Sequence, residues 1–301
     1  MAEVKKQKKM PRKKATKRQK MDWFAAYVFI APVTIGLFAF YIWPFFQNLW
    51  FSFNDVNKFN VSHFVGLENY KNILTDMTIW RSFGNTLKYV VITVPVGLFF
   101  SIVLAALLNA GIKGKSLYRT LYFLPSVTMS AAVAMVWKWV FNEQMGILNS
   151  FIKKLGGTGH NWLTDPHTAL YMIMIVGLWM SVGYNMIILL AGIQGISKSY
   201  YEAAAIDGAT AIDQFFHITM PMLTPSSIIG GFQVFDTIYM MIGKTNPAYD
   251  SVQTIAMLFY RNAFDYGYKG YAAAISILIF AAIMVVTIIQ MDGQKKWVNY
   301  D

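Results

Sequence analysis

Residues 201–221 read YEAAAIDGATAIDQFFHITMP, a short stretch of soluble character lying between two strongly apolar runs. Glu202, Asp207 and Asp213 stand among small alanines, with a glycine where a helix should stop. Ser199 precedes Glu202 by three residues, the spacing of a capping box, in which the serine accepts a helix N–H and the glutamate reaches back. The alanines at 203–205 are strong helix formers whose minimal side chains let another surface approach closely. Gly208 can take the left-handed conformation that ends a helix. Thr210 and Asp213 offer a second cap, and the helix they open stops before Pro221. The spacing predicts two short helices at a turn; a plain polar loop is the alternative reading of the same residues.

Outward from this stretch the chain is apolar. Of its 301 residues, 56% are hydrophobic, 16% aromatic and only 14% charged, against about 25% charged in a typical soluble domain. Crossing a ~30 Å hydrocarbon core takes about 20 apolar residues. Five runs reach that length, at 23–46, 89–108, 121–141, 169–192 and 271–289, and a weaker sixth lies near 226–242. Together they predict an all-α, polytopic membrane protein with six transmembrane helices. Cysteine is absent, which excludes disulfides, thiolate metal sites and thiol catalysis. His63, His160, His167 and His217 have no metal-ligand spacing and read as loop or interfacial residues, so no metal site is expected.

The net charge of +11 is unevenly spread, with ten Lys/Arg against Glu3 alone in residues 1–20. A Lys-rich arm can bind nucleic acid. Placed just before a first membrane span, it instead fixes that end in the cytoplasm, where anionic lipids attract it. Membrane lipid is therefore the expected partner, and nucleic acid is not. A cleaved signal peptide is not expected, because the first run is too long for an h-region and no small-residue cleavage site follows. With the N-terminus inside and one crossing per span, both termini are cytoplasmic. Sixteen Lys/Arg then fall inside and eight outside, with Lys88 and Lys138 at or within span ends, as the positive-inside rule requires. The expected organisation is a basic cytoplasmic arm (1–22), a first transmembrane helix (23–53) and an extracytoplasmic loop (54–84). A core of five transmembrane helices (85–291) and a cytoplasmic tail (292–301) follow. Trp43, Trp50, Trp137, Trp139 and Trp162 cluster near span ends, the aromatic-belt position.

The full spacing carries a resemblance. Glu202-Ala203-Ala204, three residues, Gly208, nine residues, Ile218, one residue and Met220-Pro221 resemble the EAA–G–I-LP signature of permeases of binding-protein-dependent ABC importers. Met220 stands in place of the usual Leu, a volume-conserving exchange. The resemblance covers nearly the whole chain and is strongest to the carbohydrate branch. It continues through FIAPVTIGLFAFYIWPF (29–45), FVGLENYKNIL (64–74), NT (85–86) and LYRTLYFLPSVTMSAAVAMVWKWVFNEQMGILN (117–149). It then takes in GGFQVFDTIYMM (230–241), GYAAAIS (270–276) and KKWVNY (295–300).

The resemblance implies the type I ABC importer permease fold and one membrane subunit of an importer of a sugar or oligosaccharide. Such a subunit works by ATP-driven alternating access in a prokaryotic cell membrane. The implied partners are a second homologous permease, two ATPase subunits at the cytoplasmic face and an extracellular or periplasmic solute-binding protein. No cofactor is implied on this chain, since ATP and Mg belong to the ATPase. The loop 197–221 would dock in a groove of the ATPase and transmit its closure. There Glu202 would pair with a basic residue, Ala203 and Ala204 would pack closely and Gly208 would turn the chain, with Asp207, Ile218 and Pro221 completing the element.

Three further features bear on function. NAGIKGKS (109–116) ends like a phosphate-binding loop, but the first glycine of that motif would fall on Asn109, and the segment follows a membrane span rather than a buried strand. No ATP site is expected. Second, only ten residues separate Pro225 from Asp236, about 15 Å of helix at 1.5 Å each and roughly half a bilayer. The resembling family carries around ten more apolar residues here, so the fifth span is either broken or, the reading we favour, short of residues in this sequence. Third, polar groups at membrane depth line wet paths or bond between helices. Tyr184 and Asn185 on the fourth span, and Gln233, Asp236 and Tyr239 on the fifth, are the candidates for the solute path. Interhelical hydrogen bonds or a helix cap would account for them as well. The same machinery could carry a polyol, glycerol phosphate or another solute. An ion-coupled secondary transporter would call for buried coupling carboxylates and repeated halves, and an intramembrane enzyme for paired catalytic residues. The sequence offers one carboxylate of doubtful depth, no repeat and no catalytic pair.

Overall fold

The computed structural model describes residues 16–110, 112–214 and 234–297. The chain divides between Trp50 and Phe51 into two compact units. The first contains α1 (Lys17–Leu37), a π-helical turn (Phe38–Ile42) and most of α2 (Trp43–Ser52). These run on as one apolar helix over Lys20–Ser52, long enough to cross a membrane and with none of its most apolar stretch buried. The π turn has a local cause. Pro44 has no N–H, and in a regular helix its ring would strike the carbonyl of Phe40. Widening the turn, so that the Trp43 N–H donates to the Phe38 carbonyl, relieves that clash.

The second unit opens with an antiparallel hairpin of β1 (Asn54–Val56) and β2 (Ser62–Phe64), with Asp55 opposite His63. Next come α3 (Glu68–Thr75) and the long α4 (Met77–Asn109). Asp76 caps α4, accepting the Thr78 N–H at 2.8 Å. The buried Asn69 of the FVGLENY segment donates its amide to the carbonyls of Ser52 and Asn54, each at 3.0 Å. The Tyr70 hydroxyl meets that of Ser52 at 2.7 Å. Side chains of α3 therefore tie this segment to the hairpin and to the end of α2.

Then follow α5 (Lys115–Val127), α6 (Ser130–Val140), α7 (Ile147–Lys154), α8 (Ala169–Gly195), α9 (Lys198–Ile206) and α10 (Ala211–Gln214). The described chain resumes with α11 (Asp236–Met241), α12 (Tyr249–Val252) and α13 (Ile255–Tyr260). A second π turn (Arg261–Tyr266) leads to α14 (Lys269–Trp297). The centre of the unit is α8, packed chiefly against α4 and α5. Small residues permit the approach, as in most helix contacts within membranes. A Cβ built on Gly177 would lie 2.0 Å from the Tyr89 hydroxyl of α4, and one on Gly183 would lie 1.7 Å from the Tyr122 carbonyl of α5. Ser101 of α4 adds a hydrogen bond to the Val182 carbonyl of α8 at 3.1 Å.

Lys20–Ser52, Met77–Asn109, Ala169–Gly195 and Lys269–Ile289 are each long and apolar enough to cross a membrane. The run expected to form a span at 121–141 passes the same test only as a bent pair of helices. It is broken into α5 and α6, which meet at 99°. Thr128 and Met129 are non-helical, with ψ of 140° and 127°. Pro125 removes one N–H from the last turn of α5. The hydroxyls of Ser126 and Thr128 donate to the carbonyls of Phe123 and Leu124 at 2.7 and 2.8 Å, satisfying groups that a helix end leaves open. The expected sixth span at 226–242 is described only from 234 onward, where it contains α11; most of the short interval after Pro225 lies outside the described residues.

Candidate translocation cavity and coupling loop

The break between α5 and α6 has a consequence at the centre of the unit. It turns Ser126 and Ser130 toward a cavity of about 440 Å³, whose wall also includes Tyr89 of α4, Ser181 of α8, and Asp236 and Thr237 of α11. Gly177, Met180, Val234 and Phe235 complete it. Ser126 and Ser181 donate to carbonyls of their own helices at 2.7 and 3.2 Å, so their oxygens remain able to accept from a guest. Asp236 is the one charged group of this wall among the described residues. Hydroxyls around one carboxylate, with Phe235 beside them, form a surface that can hydrogen-bond several hydroxyl groups at once.

Of the residues expected along the solute path, Asp236 lies in this wall. Tyr184 and Asn185 are not part of it; Tyr184 is exposed one turn beyond Ser181. Tyr239 is set back behind Phe235, stacked on it at 5.1 Å between ring centroids and 5.2 Å from Tyr260. Gln233 lies outside the described residues. The hydroxyl residues Tyr89, Ser126, Ser130, Ser181 and Thr237 did not emerge from the sequence reading. Their one signal was isolated serines inside otherwise apolar runs.

A second, polar cavity of about 690 Å³ lies at the far ends of α6 and α11, bounded by Lys138, Glu143, Gln144, Asn161, Thr245 and Asn246 among others. Its flanking loop is organised by the buried Asn149. The amide of Asn149 donates to the carbonyls of Asn142, Glu143 and His160 at 3.2, 3.1 and 2.8 Å, while its oxygen accepts from Trp162 Nε1 at 2.9 Å. Asp165 pairs with His160 at 2.9 Å. The Asp165 carboxyl is held below its usual range, first by the His167 backbone N–H and then by His160. Lys244 and Asp265 form a 2.7 Å ion pair nearby in sequence to this rim. That hydrogen bond holds the ammonium above its usual range. Among the described residues no group of three His, Asp or Glu side chains could hold a metal ion.

At the opposite end of α8 stands the helix pair expected from the sequence. α9 ends in a Schellman arrangement: the Ala209 N–H donates to the Ala204 carbonyl at 2.9 Å and the Gly208 N–H to that of Ala205 at 3.1 Å. Gly208 itself has φ +81°. The second cap is reciprocal. Thr210 donates its N–H and hydroxyl to Asp213 at 2.9 and 2.6 Å, and the Asp213 N–H donates back to the Thr210 hydroxyl at 3.3 Å. The first cap differs from expectation. Ser197, not Ser199, accepts the helix N–H, at 3.4 Å, and the Ser199 hydroxyl meets that of Ser197 at 2.8 Å. Ile196 and Ser197 are extended as the chain leaves α8, so the helix starts too early for a Ser199–Glu202 box. Glu202 is consequently free of capping duty and exposed, as are Ala203, Asp207 and Gly208; Ala204 is half-buried. Ile206, which the sequence reading passed over, is 87% exposed. Ile218 and Pro221 lie outside the described residues.

Comparison with known proteins gives the family and the fold. The YesP protein of Bacillus subtilis, described as a probable ABC transporter permease, is 32% identical to this chain over 96% of each sequence. The arabinooligosaccharide permease AraP of the same bacterium is 32% identical over 89% of this chain and 87% of its own. The sn-glycerol-3-phosphate permease UgpA of Pectobacterium atrosepticum is 31% identical over 91% and 95%. Among solved structures, a chain of a bacterial ABC transporter that imports the acidic polysaccharide alginate superposes with a TM-score of 0.81, covering 94% of this chain and 99% of the other. At 20% identity that likeness is one of fold, the type I ABC importer permease fold. Residues 94–298 match the family described as binding-protein-dependent transport system inner membrane component. The chain is a member of that family, a multi-pass membrane subunit of a transport system.

Proposed function

We propose that this permease carries an uncharged saccharide, delivered by an extracellular or periplasmic binding protein, across a prokaryotic cell membrane with both of its termini cytoplasmic. It works with a second homologous permease and with two ATPase subunits, which supply ATP, Mg and the hydrolysis. The observation that carries the substrate class is the cavity of about 440 Å³, where one carboxylate stands among hydroxyls and no cationic side chain lines the described wall. Relatives in this family are named for neutral arabinooligosaccharides and for an anionic glycerol phosphate. In a site of low dielectric, a carboxylate repels a phosphate or uronate strongly, whereas it accepts hydrogen bonds from sugar hydroxyls. Binding of solutes to the assembled transporter in lipid nanodiscs tests this. An arabinooligosaccharide is expected to bind, with sn-glycerol-3-phosphate and an alginate oligomer failing to compete. Asp236→Asn is expected to weaken saccharide binding roughly ten-fold, the loss of one charge-assisted hydrogen bond. Preferential binding of glycerol phosphate would overturn the reading.

The loop 197–221, whose described part holds α9 and α10, is the coupling element in this proposal. Its exposed face offers Glu202 to a basic ATPase residue and Ala203 and Ile206 to an apolar groove. Because Ser197 holds the local cap, Glu202→Gln is expected to leave helix content and membrane insertion unchanged. Co-purification with the ATPase is expected to fall sharply, since a charged partner left buried and unpaired costs about 3–5 kcal/mol. Wild-type co-purification across a range of salt concentrations would remove Glu202 from the contact.

A further inference from the structure

We propose that Thr254 is a positioning residue that, anchored through Asn85 and Thr86, holds the Asp236 wall of the solute cavity in place; this rests on the reading of that cavity as the solute path. Thr254 is fully buried. Its hydroxyl donates to the Val234 carbonyl at 3.0 Å and accepts the Met257 N–H at 3.4 Å. Val234 lies in the cavity wall two residues before Asp236. One residue beyond Thr254, the Ile255 N–H donates to the hydroxyl of Thr86 at 2.9 Å. The amide of Asn85 donates to the Gln253 carbonyl at 3.0 Å. Residues 253–255 are therefore tied to α4 on one side and to the cavity wall on the other. A ring contact of Phe235 with Tyr260, 4.8 Å between centroids, backs the second tie.

The residue types bear this out. Neither Asn nor Thr is a good helix former, and both lie within α4, in an apolar setting where an unbonded polar group is costly. A cap for α13 needs only an acceptor at position 254, and its donor hydrogen is used on Val234 instead. The Thr86 hydroxyl donates within its own helix to Ser82 at 2.9 Å, leaving its oxygen to take the Ile255 N–H. The hydroxyls of Thr86 and Thr254 thus each donate and accept once in the chain of contacts from α4 to Val234, and removing either hydroxyl breaks it.

The absence of cysteine from the chain provides the test. Thr237→Cys puts a single thiol on the wall that Thr254 holds, and Ser181→Cys puts one on the opposite wall, which α8 holds independently. Both are made in the assembled transporter in membranes, and the reaction rate with a trimethylammonium-ethyl methanethiosulfonate is read on this chain by mass shift. With Thr254→Val, the rate at 237 is expected to change about ten-fold, the effect of losing roughly one hydrogen bond, with no change at 181. Thr254→Ser is expected to restore it. Should Thr254→Val fail to assemble, Thr86→Val breaks the neighbouring link and is expected to shift the same rate. Equal rates at 237 with Val, Ser and Thr at position 254, or a parallel change at 181, would overturn the proposal. A rate change confined to 237 together with unaltered saccharide binding by Asp236→Asn would instead remove the solute-path reading and leave the positioning role standing.

Discussion

Gly183→Val leaves little or no assembled permease in the membrane; this is the largest single-residue effect expected of the chain. Any Cβ at this position would lie 1.7 Å from the Tyr122 carbonyl oxygen, 2.5 Å from its carbon and 3.1 Å from the Phe123 Cα. These are backbone atoms, so no rotamer change can relieve the clash. Relief requires α5 to move away from α8 by more than an ångström, and that movement would also displace Ser126 at the cavity wall. Overpacking of a well-filled core typically costs 1–3 kcal/mol, and a clash with main chain on this scale belongs at or above the upper end. Uptake below roughly a tenth of wild type is expected, since each 1.4 kcal/mol is a factor of ten in an equilibrium constant. Gly84→Ala is the matched control, because a Cβ there meets nothing within 4 Å, and alanine is the better helix former by about 1 kcal/mol. Membrane abundance and thermal stability of the purified protein measure both. Wild-type abundance of Gly183→Val would mean that α5 does not approach α8 as closely as described.

Gly208→Val acts beyond the C-terminal end of α8, in the turn between α9 and α10, and through a different term. Here a side chain would meet open space, so nothing is lost in packing. The cost is the backbone conformation, φ +81°, which disfavours a side-chain-bearing residue by about 1–2 kcal/mol, and a β-branched one most of all. The local way out is to abandon the left-handed turn. That breaks the Ala209–Ala204 and Gly208–Ala205 hydrogen bonds and swings α10 away from α9. Insertion and abundance are expected to stay at wild-type levels while ATP hydrolysis no longer drives uptake, and Gly208→Asn, which tolerates a left-handed φ, is expected to keep a substantial part of it. Normal uptake by Gly208→Val at normal abundance would take this turn out of the coupling route. The two glycines thus separate assembly from coupling: one change removes the protein, the other is expected to leave it present and idle.

The features legible in the sequence were local ones. The apolar runs of α4, α8 and α14 needed only composition and length. The reciprocal Thr210–Asp213 cap and the left-handed turn at Gly208 needed only residues within one helical turn, where spacing fixes the geometry. The remaining features each have a non-local cause. The run at 121–141 had the composition of one span. The close approach of α8 at Gly183 and the hydroxyl bonds at 126–128 accompany its break into two helices. Ser197 and Ser199 were both able to cap α9, and the extended exit of the chain from α8 selected the first. The cavity wall is gathered from five elements, α4, α5, α6, α8 and α11, so its serines could not be told from ordinary intrahelical hydroxyls. Asn85 and Thr86 bond to residues 168 and 169 positions away. A polar side chain in an apolar run must find a partner, but sequence alone does not say which one, because that choice depends on which helix the fold brings within about 3 Å.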